Sequence, residues 1–141
     1  TTMHMSPGVP IMKSNDLVNW TLVNYAYDRL DEVDAMNLEN GKSTYGRGSW
    51  ASCLRYHKGV FYVSTFAATT GKTYIYSTKN IEKGPWKKIS FEPAYHDHSI
   101  LFEEDKAYMV WGAGKISIAE LKQDLSGIKE EDKEFDLEAD F

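Results

Sequence analysis

The 141-residue chain has the length of a single domain and can bury a hydrophobic core. Hydrophobic residues make up 42% and aromatic residues 13% of it, which is typical of a globular protein rich in β-strands. Residues 129–141 carry seven acidic residues and two lysines, which accounts for the whole net charge of −5. Residues 1–128 are therefore formally neutral, which excludes the electropositive surface with which proteins bind nucleic acid.

The apolar runs of the sequence are only a few residues long. They predict no membrane-spanning helix, no signal peptide and no membrane partner. The single cysteine, Cys53, excludes an internal disulfide and is interpreted as a small buried hydrophobe. These features leave both a cytoplasmic and a secreted location open.

The predicted elements follow one another as short strands separated by polar turns. Asp97 stands between His96 and His98, immediately before a strand that begins at Ser99. In chain order the strand-rich segments are "PIMKSNDLVNWTLV" (10–23), the hairpin "WASCLRYHKGVFYVSTF" (50–66), "TYIYST" (73–78), "WKKISF" (86–91), the hairpin "HDHSILFEEDKAYMVWG" (96–112) and "KISIAEL" (115–121). Period-2 patterns bounded by turn residues favour β-strands throughout this region.

The two hairpins are copies of one unit. Leu54 aligns with Ile100 and Tyr62 with Tyr108, and each pair lies 46 residues apart. Four antiparallel strands that recur every forty-odd residues are typical of β-propeller blades. An antiparallel sandwich also has short strands and frequent turns, but its strands need not repeat in register, so the repeat favours the propeller.

In this interpretation the chain contains the end of blade one (1–28), a complete blade two (46–92), blade three (95–128) and an acidic tail or linker (129–141). A propeller closes into a ring of about 4–8 blades, so two and a half blades leave two open sheet edges. We therefore expect either a longer protein or self-association through these edges. Trp20 and Trp86 open matching outer strands, and both are predicted to lie in the core.

Four motifs in order resemble glycoside hydrolase family 43, in particular its β-xylosidase and α-L-arabinofuranosidase branch. They are "MHMSPGVPIMKSNDLVNW", "GSWASCLRYHKGVFYV", "TYIYSTKNIEKGPW" and "YHDHSILFEEDKAYMVWG", and the resemblance covers about residues 1–128. It implies a five-bladed propeller that hydrolyses xylosyl or arabinofuranosyl linkages of plant polysaccharides with inversion. A pentose-containing oligo- or polysaccharide is then the expected partner, and no cofactor is expected.

The resemblance also implies three catalytic carboxylates, of which this chain matches one. Asp97 corresponds to the carboxylate that orients the general acid and tunes its pKa, with His98 where the family commonly has proline. No "Asp-Pro-Asp" segment for the general base and no "Glu-Gly" segment for the general acid occurs in the chain. We therefore expect no hydrolysis by these 141 residues alone. A non-catalytic carbohydrate-binding propeller, a fragment without function, and an Asp97 that is only a turn residue stay open as alternatives.

Four further residues are candidates for sugar binding. Trp50 is predicted to start the inner strand of blade two and to stack on a pentose ring, with blade packing as the alternative. By the resemblance, His4 and Met3 lie in a segment that lines the pocket, and His96 precedes the supporting carboxylate. His96 and His98 also have the spacing of two metal ligands on one side of a strand. No second ligand pair accompanies them in the sequence, so no metal site is predicted.

Overall fold

The computed structural model describes residues 8–30, 33–113 and 115–129. This part of the chain forms three antiparallel sheets and one short 3-10 helix, Asp34–Asn37, so the all-β class is confirmed. The strands are β1 (Gly8–Lys13), β2 (Thr21–Tyr27), β3 (Cys53–His57), β4 (Val60–Ala67), β5 (Lys72–Thr78), β6 (Lys87–Phe91), β7 (Ser99–Glu103), β8 (Lys106–Trp111) and β9 (Ser117–Glu120). No helix among the described residues has the length and hydrophobicity needed to cross a bilayer.

The first sheet pairs β1 with β2 through a turn that Asp16 organises. The Asp16 carboxylate accepts the backbone N–H groups of Val18 (2.9 Å) and Asn19 (2.7 Å), and these bonds hold the pKa of Asp16 well below its usual range. Trp20 donates its ring N–H to the Leu17 carbonyl (3.1 Å). This bond ties the indole to the turn rather than to the core.

The prediction that Trp20 and Trp86 are both buried is wrong for Trp20. The Trp20 residue is 52% exposed, whereas Trp86 is half-buried and packs against the core between the first two sheets. The two positions match in the repeat, and each lies one residue ahead of its strand, but the Trp20 ring is bonded to the turn described above. Position in the repeat therefore fixes the local backbone and not what covers the side chain.

The second sheet has the order β3-β4-β5-β6 and the third has the order β7-β8-β9. Their first hairpins have the same register, because Cys53 pairs with Ser64 and the equivalent Ser99 pairs with Val110. The turn residues Lys58 and Glu104, 46 positions apart, both have a left-handed backbone, with φ of 47° and 51°. The sequence repeat is therefore present in the structure, down to the turn conformation.

The sheets stack face to face with a separate core in each interface. Side chains alternate along a strand, so β4 and β5 contribute to both sides of the second sheet. Between the first two sheets lie Val9, Ile11, Ala26, Tyr27, Leu30, Met36, Val63, Ala67, Tyr74 and Tyr76. Between the second and third sheets lie Ile75, Ile100, Ala107, Met109, Leu121 and Leu125.

The first strands of consecutive sheets, β3 and β7, lie side by side and run in the same direction. The Ile100 backbone N–H contacts the Cys53 sulfur at 3.5 Å near one end, and the His57 ring contacts the Glu104 carbonyl at 3.0 Å near the other. Arg55 bridges the middle by donating to the Ile100 carbonyl (2.7 Å). First strands that converge while their sheets stack are the arrangement expected of propeller blades around an axis.

Large apolar side chains remain exposed on the outer two sheets. Met12 and Leu22 of the first sheet are each 45% exposed, and Leu101 of the third sheet is 52% exposed. Self-association through the outer edges, expected from the sequence, stays a prediction.

Candidate functional site

Three of the candidate residues, Trp50, His96 and Asp97, lie at the same end of the β3–β7 pair. Asp97 precedes β7 by two residues, and Trp50 precedes β3 by three. Trp50 was predicted to start the inner strand, but the strand begins only at Cys53. The Trp50 backbone is instead attached to β4, since its N–H donates to the Phe66 carbonyl (3.0 Å) and its carbonyl accepts the Thr65 hydroxyl (2.9 Å).

Four rings from two sheets form an aromatic cluster, which we define as Trp50, Phe66, His96 and His98. The Trp50 ring meets the His96 ring edge to face with centroids 5.7 Å apart, and Phe66 lies 5.9 Å from Trp50 and 5.3 Å from His96. The His98 ring lies 6.1 Å from Phe66. The fold thus brings together Trp50 and His96, which are far apart in sequence, because the second and third sheets stack.

Asp97 borders this cluster with a half-exposed carboxylate. Its side chain is 49% exposed, and one carboxylate oxygen lies 3.4 Å from Nδ1 of His96, which is 47% exposed. The Asp97 backbone is left-handed, with φ of 47°. Asp tolerates this conformation better than most residues, because its short polar side chain can bond locally. The carboxylate is therefore available to a molecule in solvent.

His98 lies behind Asp97 and is the most buried member of the cluster, with 4% of its surface exposed. Its Nδ1 lies 2.9 Å from the Tyr95 carbonyl, and since a carbonyl only accepts, Nδ1 carries the proton. Burial lowers the pKa of His98, which keeps the ring neutral near pH 7. Sequence reasoning weighed His98 only as a metal ligand beside His96 and missed its buried position.

The described residues contain no group of three or more His, Cys, Asp or Glu arranged to hold a metal ion. His96 and His98 both precede β7, which begins at Ser99, and both rings contact Phe66. They differ sharply in exposure, at 47% for the His96 side chain and 4% for the whole His98 residue. The other two candidates, Met3 and His4, lie outside the described residues, and their roles stay predictions.

A cavity of about 480 Å³ lies at the opposite end of the same strands, beside the hairpin turns of β3–β4 and β7–β8. Lys58 and Asp105 on its rim already pair with each other at 2.5 Å. The cavity contains none of the candidate residues. We therefore place the candidate site at the Asp97 end, where a carboxylate borders aromatic rings, a combination that suits a neutral sugar with apolar C–H faces and hydroxyl donors.

Comparison with known proteins identifies the family. The model of glycosyl hydrolases family 43 matches residues 1–139. A beta-xylosidase from Formosa agariphila is 34% identical over 113 residues, which cover 76% of this chain and 19% of that protein. A non-reducing end alpha-L-arabinofuranosidase from Bacteroides ovatus is 32% identical over 113 residues, covering 78% and 21% respectively. The chain thus spans about a fifth of the length of the curated relatives it matches.

Among solved structures, a Bacteroides eggerthii protein described as a bifunctional GH43-CE is 70% identical and superimposes with a TM-score of 0.90. The match covers 97% of this chain and 18% of that one. The structural neighbours from this family are five-bladed β-propellers, and the three stacked sheets correspond to part of such a ring. With nearly the whole sequence matching the family model, the chain belongs to glycosyl hydrolase family 43.

Proposed function

We propose that the chain is part of an inverting exo-glycosidase that hydrolyses xylosyl or arabinofuranosyl linkages of plant polysaccharides. The observation that carries the proposal is the meeting of Trp50 and His96, from consecutive sheets, beside the half-exposed Asp97 carboxylate. The names of the relatives support the substrate class, since one is a beta-xylosidase and the other a non-reducing end alpha-L-arabinofuranosidase.

In this proposal Asp97 acts on the general acid rather than on the sugar bond. Inverting glycosidases place acid and base about 6.5–9.5 Å apart so that a water fits between base and sugar. A third carboxylate close to the acid raises the acid's pKa through like charge and keeps it protonated. We assign that role to Asp97 and place the general base and general acid in segments beyond the 141 residues.

The aromatic cluster supplies the sugar-binding surface. Trp50 is half-buried, and its ring packs against Phe66 and His96, which restricts the orientation of the indole before a ligand arrives. We propose that the indole stacks on the C–H face of a pentose and that the His96 edge, which meets the indole, borders the same sugar. His4 and Met3 complete the pocket in this proposal, His4 through a hydrogen bond to a sugar hydroxyl.

The test places the chain in a complete ring. Residues 1–141 replace the matching segment of the Bacteroides eggerthii protein, whose 70% identity favours a correctly folded chimaera. Turnover of nitrophenyl xyloside and nitrophenyl arabinofuranoside is then measured for the unchanged chimaera and for its Asp97→Asn and Asp105→Asn variants. Asp105 is the matched control, because its carboxylate is 89% exposed at the opposite end of β7.

We expect Asp97→Asn to lower kcat by about 10²-fold or more with little change in KM, because the lost charge acts on proton transfer. Asp105→Asn is expected to leave both constants unchanged. An Asp97→Asn chimaera with full kcat would show that Asp97 is only a turn residue. A chimaera that binds pentose without turnover, beside an active parent protein, would favour a carbohydrate-binding propeller instead.

The 141-residue chain alone is expected to show no turnover of either substrate. Hydrolysis by the isolated chain that Asp97→Ala abolishes would contradict the placement of acid and base outside it.

A further inference from the structure

Three buried polar atoms at the interface between the second and third sheets have no hydrogen-bond partner among the described residues. They are Nε1 of Trp50, the Ser64 hydroxyl, on a residue that is 1% exposed, and Nε2 of His98, on a residue that is 4% exposed. Buried polar groups almost always bond to protein or to ordered water, and an unmade bond costs about 1–3 kcal/mol. Each atom therefore requires a partner.

The sheet register places the Ser64 hydroxyl and Nε2 of His98 in the same interface. Ser64 pairs with Cys53 on one side and Ile75 on the other, and directly paired residues project from the same face of a sheet. Cys53 contacts the Ile100 backbone N–H, and Ile75 packs in one core cluster with Ile100, so this face looks toward the third sheet. On β4, Ser64 lies two residues from Phe66 and therefore on the same face, and the Phe66 ring contacts the His98 ring.

The two atoms are chemically complementary. Because Nδ1 of His98 donates to the Tyr95 carbonyl, Nε2 of the neutral ring is an acceptor. The Ser64 hydroxyl can rotate and both donate and accept. No direct hydrogen bond joins the two atoms, and a single water can bridge such a pair where the site offers at least two polar partners.

We propose that one buried water joins the Ser64 hydroxyl to Nε2 of His98, and that this link makes His98 the positioning residue for Asp97. The His98 ring is then held at both ends, by the Tyr95 carbonyl in its own segment and by β4 in the neighbouring sheet. The intervening Asp97 backbone is left-handed, so anchoring the ring next to it fixes where the carboxylate points. Through the link, the sheet that carries Trp50 also sets the position of Asp97.

The titratable groups around His98 are few. Asp97 and His96 come from its own segment, and the Cys53 thiol faces the interface from β3. On the same face, β4 contributes the uncharged Ser64 and Phe66 and, farther along the strand, Tyr62. Burial lowers the pKa of His98 and outweighs the bond to the Tyr95 carbonyl and the negative charge of Asp97, which both raise it. No charged side chain stands on β4, so Ser64 acts on His98 through hydrogen bonding rather than through charge.

The test is an NMR titration of the His98 ring in the 141-residue chain and in Ser64→Ala. Removal of the hydroxyl deprives neutral His98 of its partner, so the titration midpoint is expected to rise by about 0.5–1 pH unit. The ¹⁵N resonance of Nε2 is expected to move toward that of a non-bonded ring, and the Asp97 amide resonance to shift with it. Ser64→Thr keeps a hydroxyl and is expected to restore the original midpoint.

Ser90→Ala is the matched control. Ser90 pairs with Tyr74 on the face of the second sheet that looks toward the first sheet, so its loss is expected to leave His98 unchanged. A midpoint and Nε2 resonance identical in Ser64→Ala and the parent chain would overturn the link, as would an equal change in Ser90→Ala. A response at His98 without one at Asp97 would overturn the positioning role. These readouts do not depend on glycosidase activity, so a negative result would refute the link between Ser64 and His98 without refuting the proposed function.

Discussion

The left-handed backbone at Asp97 predicts that asparagine and alanine have different effects on stability at this position. Asp97 has φ of 47°, and a residue with a Cβ pays about 1–2 kcal/mol for that conformation unless its side chain bonds locally, as Asp and Asn can. The His96 contact contributes little, because both side chains are about half exposed and exposed ion pairs contribute at most about 1 kcal/mol in water. We therefore expect Asp97→Asn to be nearly neutral and Asp97→Ala to lose about 1 kcal/mol.

The difference in stability is measurable by thermal unfolding of the 141-residue chain at neutral pH, monitored by circular dichroism. Urea denaturation of the same variants provides a second measurement. A loss of about 1 kcal/mol corresponds to a Tm decrease of about 2–5 °C for a domain of this size. Asp105→Ala removes a more exposed carboxylate from a turn position without a left-handed backbone and is expected to change Tm by less. If Asp97→Ala and Asp97→Asn unfold at the same temperature, backbone strain does not govern this position. The chimaera would complement this result, since there both substitutions remove the charge and are expected to lower kcat equally.

Two further predictions concern the interface between the second and third sheets. Met109→Ala removes a fully buried side chain and is expected to lower the free energy of unfolding by about 2–5 kcal/mol, measured by urea denaturation. Leu101→Ala, 52% exposed on the same sheet, is expected to lower it far less, and equal losses would contradict the assigned packing. Because burial lowers the pKa of His98 in the folded state, the unfolded chain takes up the proton first as the pH falls below about 6.5. Stability is therefore expected to fall from pH 7.5 to 5.5 in thermal unfolding, with a shallower slope in His98→Gln, and an identical slope in that variant would exclude His98 as the cause.

The hairpins could be predicted from sequence because their information is local. The 46-residue repeat, the polar turns and the strand patterns fix which residues pair, and the left-handed turn residues Lys58 and Glu104 occupy equivalent positions. The contact between Trp50 and His96 could not be predicted in the same way. It depends on how two sheets stack, and no local pattern encodes that distance.

The misjudged residues have physical explanations. Alternation predicted His96 and His98 on one side of a strand, and both rings do contact Phe66, but it gave no reason for their very different burial. Both residues precede β7, and the left-handed Asp97 between them breaks the extended backbone on which alternation depends. A usable signal was present, because His98 stands two residues ahead of the buried Ile100 and continues its inward register. Trp20 was misjudged because a repeat position reports backbone equivalence and says nothing about which neighbour covers the ring.

The middle sheet has a core on each of its faces, which makes the tolerance to mutation uneven along the chain. A substitution in β4 or β5 disturbs one of two interfaces, depending on whether the residue number is odd or even. Val63, for example, packs toward the first sheet, whereas the neighbouring Ser64 faces the third sheet. A one-residue insertion in either strand would exchange the two sets and disrupt both interfaces together. Insertions and deletions are therefore expected to accumulate between the sheets rather than within these two strands, even where single substitutions are accepted.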